Sequence, residues 1–275
     1  MLHAADMSPG PSIEVRNLQF DLSEVPQHWH PRGVGPTVFW DELSVFFPVG
    51  EAFFVRSVRH YLPQLTDPGL KAEVAAFGAQ EGFHAREHLA YNQRLARWYP
   101  VATLERLFPI FLLWVASKLS PRRQLAITCA LEHFTSLMGE HILSTPSLLE
   151  GVHPQMAALW RWHAVEENEH RAVAFDVYRA VGGTWFERCR VMLLVSVFFW
   201  GAAALNTVVF MAKSGALFSV RAWWALLSTV LFGRDALARV MVGPWLDYFR
   251  RDFHPLDRGG EALIEAWKRT QPAGT

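Results

Sequence analysis

The chain has 275 residues, 51% of them hydrophobic and 19% charged, which is too apolar for a disordered chain and enough for a sizeable buried core. Lys plus Arg equals Asp plus Glu at 26 each, so there is no whole-chain field to recruit nucleic acid or an anionic membrane. The two cysteines, Cys129 and Cys189, are too few for a disulfide framework and lack metal-ligand spacing, and Met1-Leu2-His3 opens no export signal; a cytoplasmic setting is expected.

Residues 1–44 are rich in Pro and Gly and read as an arm packed on the rest, with at most a short strand near Ile13 to Phe20. A bundle is expected over 45–183. Its first helix covers Phe46 to Tyr61, and the Asp67-Pro68-Gly69 turn leads into a second, antiparallel helix over Leu70 to Trp98. A shorter apolar helix, Leu104 to Lys118, kinked at Pro109, carries the chain across the bundle. Ser120-Pro121 then caps and opens a third long helix reaching Leu143. The fourth runs from Pro154 to Val181 and stops at Gly182-Gly183, which supply the left-handed conformation a helix end favours. Region 184–275 is an apolar helical C-terminal portion. Its run from Val191 to Met211 is long enough to span a bilayer, while Ala222 to Phe232 is about half as long. Two readings follow for 191–232: a membrane-embedded hairpin of the two stretches, associated with the inner face of the membrane, which the length of the first favours, or a buried helix roofing a channel for an apolar substrate.

The chemistry concentrates in two helices. In Gln80-Glu81-Gly82-Phe83-His84-Ala85-Arg86-Glu87-His88, the residues Glu81, His84 and His88 fall on one helical face. His163-Ala164-Val165-Glu166-Glu167-Asn168-Glu169-His170 aligns His163, Glu167 and His170 in the same way. The other long helices each carry a Glu among apolar residues, Glu51 beside Phe53-Phe54 and Glu132 beside Leu131 and Phe134. Burying a carboxylate costs several kcal/mol unless it is paired or coordinated, so four such helices ask for cations. One Glu from each of two helices plus a Glu-x-x-His from each of the others is the donor set of two-metal carboxylate bundles. The predicted ligands are therefore Glu51, Glu81, His84, Glu132, Glu167 and His170. His88 and His163 serve either as further ligands or as residues that hold a carboxylate. The competing reading is a buried ion-pair network without metal, but no basic residue is spaced to neutralise all four carboxylates.

Other charged and imidazole groups receive structural roles. Glu87, Glu166 and Glu169 are assigned to outer faces, paired with Arg86, Arg161 and Arg171. His60, His133, His141 and Glu140 are assigned to the core or surface, His28 and His30 to packing of the arm, and Phe83, Phe134 and Trp162 to the core beside the site. Arg56 is a candidate cation behind the ligands.

Around Gln80-Glu81 to Glu87-His88, Leu131-Glu132-His133-Phe134-Thr135, and Trp160 through His170 to Ala174-Phe175-Asp176-Val177-Tyr178, the sequence resembles the ferritin-like proteins described as predicted metal-dependent hydrolases. The resemblance covers about residues 30 to 185 and implies an all-α, ferritin-like four-helix bundle with a crossover helix. Its name implies hydrolysis, whereas the ligand set looks like that of non-haem di-iron oxygenases. Carboxylate and imidazole donors suit two metal ions, iron first, with manganese or zinc as alternatives. The leading expectation is a di-iron oxidoreductase that activates dioxygen on an apolar small molecule by hydroxylation, desaturation or N-oxygenation. It would draw electrons from a separate donor protein, since no flavin or nicotinamide fingerprint appears. The alternatives are a two-metal hydrolase and an iron-binding or storage protein; a homodimer is left open.

Overall fold

A computed structural model gives the structure of residues 11–270, with the side chains of residues 108–116 outside the described set. It is all-helical, as expected. Among the described residues there is no strand, and the segment near Ile13 to Phe20 is irregular. There the backbone N–H groups of Glu14 and Phe20 donate to the carboxylates of Glu169 and Glu87, at 3.2 and 3.0 Å, which replaces a sheet partner. The arm packs as expected, burying Arg16, Leu22, Val25 and Trp29.

Helix α1 spans Val34–Arg59 and begins well before the predicted Phe46. Gly35 and Pro36 looked like breakers, but proline is tolerated in a first turn. Gly35 is needed because another helix passes so close that an added Cβ would lie 2.2 Å from the Ala222 carbonyl. Pro48 sits inside α1 and cannot donate to the carbonyl of Ser44. Asn92 Nδ2 donates to that carbonyl instead, at 3.0 Å.

Helix α2, Pro68–Leu95, is capped by Asp67, whose carboxylate accepts from Gly69 N at 2.8 Å. Helix α3, Val101–Lys118, crosses to α4, Pro121–Ser144, capped by Ser120; the kink predicted at Pro109 falls on side chains outside the described set. The predicted fourth helix is divided into α5, Pro154–His170, and α6, Val173–Ala180. It ends where Arg171 is drawn inward, with Nη1 donating to Asn168 O and Nη2 to Glu261. Then come α7, Trp185–Lys213, and α8, Val220–Leu227, followed by a π-helical turn over Ser228–Phe232. Helices α9, Leu237–Asp247, and α10, Glu261–Lys268, complete the described chain.

The α1/α2 and α4/α5 pairs pack together as a bundle, with α1 against α4 and α2 against α5. Helices α7 and α8 lie on α1, α7 and α9 on α4, and α10 on α4 and α5. At Gly139 in α4 an added Cβ would sit 2.8 Å from Ala164 O and 2.7 Å from Asn168 Nδ2, so absence of a side chain lets α4 and α5 close on each other. That approach brings Glu132 of α4 to the histidines of α5.

Candidate metal centre

Pro48, Asn92 and Gly139 fix the backbone around a cluster of fully buried donors. The structure brings all six predicted ligands together, with His163 among them. Three overlapping groups of donor atoms, each within 4.8 Å of one another, are formed by Glu51, His84 and His163; by Glu81, His84 and Glu167; and by Glu81, Glu132 and His170. His170 Nε2 lies 3.1 Å from Glu81 Oε1, 3.4 Å from Glu132 Oε2 and 3.6 Å from Glu167 Oε2. His163 Nε2 and His84 Nδ1 approach Glu167 Oε1 at 3.0 and 3.6 Å. Despite these short separations, both oxygens of Glu51, Glu81 and Glu132, with His84 Nδ1, His163 Nε2 and His170 Nε2, lack hydrogen-bond geometry to any partner. Buried polar atoms are rarely left so; atoms that converge on a common point without bonding to each other fit a cation.

Hydrogen bonds behind the cluster set the imidazole tautomers. His84 Nε2 donates to Glu166 Oε2 at 3.0 Å, which leaves Nδ1 bare toward the centre. His170 Nδ1 donates to Gln80 Oε1 at 2.8 Å, leaving Nε2 bare. For His163 the assignment runs through four residues. Asn92 Nδ2 donates to Ser44 O and to Glu105, so its Oδ1 accepts the Ser44 hydroxyl proton at 2.8 Å. Ser44 Oγ must then accept from His88 Nδ1, at 2.9 Å, and His88 Nε2 from His163 Nδ1, at 3.0 Å. His163 Nε2 is left as a lone pair facing Glu167. Ligating histidines are commonly fixed in this way through their other nitrogen. His88 thus stands behind His163 and belongs to none of the three donor groups.

Electrostatics agree with the geometry. Burial, and then the neighbouring Glu81, push the Glu132 carboxyl up to about 8. Burial and Glu81 likewise hold Glu51 well above the carboxylate range. Burial alone would raise Glu167 too, but His163, His170 and His84 overcome it and hold Glu167 well below its usual value. Without a cation the compensation comes from protons on the imidazoles: burial alone would lower His84 and His170, but the carboxylates facing them hold both well above the ordinary imidazole value, and two divalent cations balancing the four carboxylates would take the place of those protons. Rings enclose the cluster: Trp162 stands edge-on to His84 at 4.8 Å, Phe77 to His170 at 4.9 Å, and Phe47 is tilted against His163 at 4.6 Å.

Several residues assigned to outer faces lie inside. Glu166 and Glu169 are buried, because the arm and α10 cover the side of α5 that the sequence pattern left open. Neither pairs as predicted. Arg16 of the arm, also buried, donates to Glu166 Oε1 at 3.2 Å and to Glu169 Oε2 and Oε1 at 2.9 and 2.8 Å. Gln80 Nε2 joins Glu169 Oε2 at 2.9 Å. Glu87 does pair with Arg86, at 2.7 Å, but is buried. Arg56 lies on the surface over the Phe53 ring and takes no part, and Phe83 is half-buried under Arg86. The structural roles of His30, His133 and His141 agree with the structure: each donates from Nε2 to a backbone carbonyl, those of Leu148, Pro244 and Asp235.

Fold and cluster together define a helical protein with a buried carboxylate–histidine centre suited to metal ions. The sequence profile of one family matches residues 14–259, and the chain belongs to that family, the predicted metal-dependent hydrolases. No curated protein and no solved structure matches the chain.

Proposed function

We propose that the chain is a two-metal enzyme and that its reaction is hydrolytic. Glu51, Glu81, His84, Glu132, Glu167, His170 and His163 would hold the ions. The observation that carries this reading is the convergence of buried donor atoms without hydrogen-bond partners, three of them imidazole nitrogens whose rings are held from behind through the other nitrogen. Family membership supports the hydrolytic class. Bound divalent ions would supply Lewis acidity, polarising the substrate and lowering the pKa of a water. The chain's own contribution is geometric and dielectric. Glu166, Gln80 and His88 orient the three imidazoles, Arg16 fixes Glu166, and Trp162, Phe77 and Phe47 exclude bulk water.

A second reading is dioxygen activation by two irons on an apolar substrate, with a separate electron-donor protein. The all-oxygen-and-nitrogen donor set favours it, since Cys129 and Cys189 stand outside every donor group and such donors suit iron or manganese. Purification followed by metal analysis and Mössbauer spectroscopy, before and after oxygen is added to the reduced protein, separates the two. Redox-silent metal with turnover of ester or amide substrates supports hydrolysis; coupled irons oxidised by oxygen support the second reading. Glu81→Ala and His170→Ala should each lose bound metal, and unchanged metal content in both would remove the basis of either reading.

Among the described residues one helix, Trp185–Lys213, is long and apolar enough to cross a membrane, with 28% of its most apolar window buried. Val191, Met192, Val195, Phe210 and Met211 face the protein, while Leu193, Leu194, Val197 and Leu205 are exposed. A helix attached to α1 and α4 cannot cross a bilayer without them. We therefore read its outer face as lying against the inner membrane surface.

A further inference from the structure

A second cavity lies away from the donor cluster, between α1, α4, α7, α8 and α9. It has a volume of about 550 Å³, and none of the proposed metal donors lines it. That volume falls within the range of small-molecule sites, about 300–1,000 Å³. Its walls are apolar and aromatic, with Phe39, Phe134, Trp200, Trp223 and Trp245 among them. Glu42 is the one charged residue type among its described lining residues, and no Lys, Arg or His is present.

Glu42 is wholly buried, and neither of its carboxyl oxygens has a hydrogen-bond partner. Glu42 and Glu51 are nine residues apart, roughly two and a half helical turns, so α1 directs them to opposite sides. Glu42 therefore cannot be explained by the metal donors. Ser196, in the same lining, is already engaged: its Oγ donates to Met192 O and accepts from Trp245 Nε1. An unpartnered carboxyl in an apolar cavity costs free energy unless something else meets it. The cavity reaches the surface, since Val208, Leu231 and Val242 line it and are each 43–55% exposed.

We propose that this cavity binds a straight-chain amphiphile head-first, with a neutral hydroxyl or amide head hydrogen-bonded to Glu42 and the chain running out between Val208, Leu231 and Val242. The head is specified by what surrounds Glu42. An anionic head would meet no cation and would face a carboxyl. An ammonium head would require a charge pair in an apolar cavity, where desolvation offsets the attraction. A hydroxyl or amide both donates and accepts, which matches a carboxyl that keeps its proton; burial with no compensating partner holds Glu42 well above the usual carboxylate range. This site stands on its own observations and does not depend on the metal reading.

The test uses four probes with one chain length: dodecanol, dodecane, laurate and dodecylamine. Binding to the full chain at pH 7.5 is followed by the fluorescence of Trp200, Trp223 and Trp245. Dodecanol should bind best, about tenfold tighter than dodecane, as one net hydrogen bond to a buried group would give. Glu42→Leu should abolish that preference while remaining folded, because it removes an unpaired buried carboxyl, and Glu42→Gln should retain it. Ala238→Phe, which fills the cavity from α9, should weaken every probe that binds. Tightest binding of laurate or dodecylamine, an undiminished preference for dodecanol in Glu42→Leu, or no binding of dodecanol would each overturn the proposal, whatever the metal content proves to be.

Discussion

Replacing Arg16 by Met tests whether the N-terminal arm is part of the metal centre's support. Arg16 is buried and satisfies two buried carboxylates, with three hydrogen bonds of 2.8–3.2 Å to Glu166 and Glu169. Removing it leaves both without their main cation; breaking a buried ion pair from one side costs about 3–5 kcal/mol. Lys268, 3.5 Å from Glu169 Oε1 and itself partly exposed, can compensate in part, which points to the lower end. At about 2.1 cal/mol/K of unfolding entropy per residue, a chain of this length should lose roughly 5–9 °C in Tm. Calorimetry of wild type, Arg16→Met, Glu169→Gln and the double variant measures this. The double variant should be less destabilised than the sum of the singles, since removing both partners leaves fewer buried charges unpaired. Glu166 would also lose the group that fixes it against His84, so metal content should fall. A Tm change in Arg16→Met below about 2 °C, on the same entropy scale, would refute the view that the arm neutralises buried carboxylates.

Three further outcomes are expected. Ser44→Ala removes the acceptor that sets the His88 tautomer and should weaken metal affinity by about 10- to 100-fold without displacing a proposed ligand; competition with a chromophoric chelator measures it. Asp41 is pushed up to about 7 by burial, against the lowering effect of its hydrogen bonds from Tyr91 and Trp29. Because its folded value is raised above the ordinary 3.8, its contribution is complete below that pH and is lost as pH rises toward 7, by up to roughly 4 kcal/mol. Asp41→Asn should therefore show a flatter stability profile than wild type in urea titrations from pH 4 to pH 8, and parallel profiles would contradict this assignment. Gly139→Ala should destabilise by about 1–3 kcal/mol although alanine is the better helix former, because its Cβ meets the Ala164 carbonyl and Asn168 across the α4/α5 contact; an unchanged thermal midpoint would mean that the helices can separate freely.

The donor residues were legible because helical periodicity is local. Glu81 with His84, and Glu167 with His170, share a face at three-residue spacing whatever the rest of the chain does, and Glu51 and Glu132 announce themselves as carboxylates among apolar neighbours. The Asp67-Pro68-Gly69 turn and the cap at Ser120 were equally local. The start of α1 was not, because Gly35 and Pro36 look like breakers until α8 is seen to require the missing side chain. Nor was the inward placement of Glu166 and Glu169: periodicity predicts which residues share a face, but only packing decides how many faces are covered, and from Trp162 to His170 every residue of α5 is buried. Arg16, about 150 residues away in the chain, gave no sign of meeting them. The sequence by itself determined the helices and the identity of the candidate metal donors, since both depend on spacing within one helix. The tertiary structure decided which nitrogen of each histidine is bare, what neutralises the surrounding carboxylates, and that Glu42 stands alone in an apolar cavity, since these depend on contacts between residues distant in the chain.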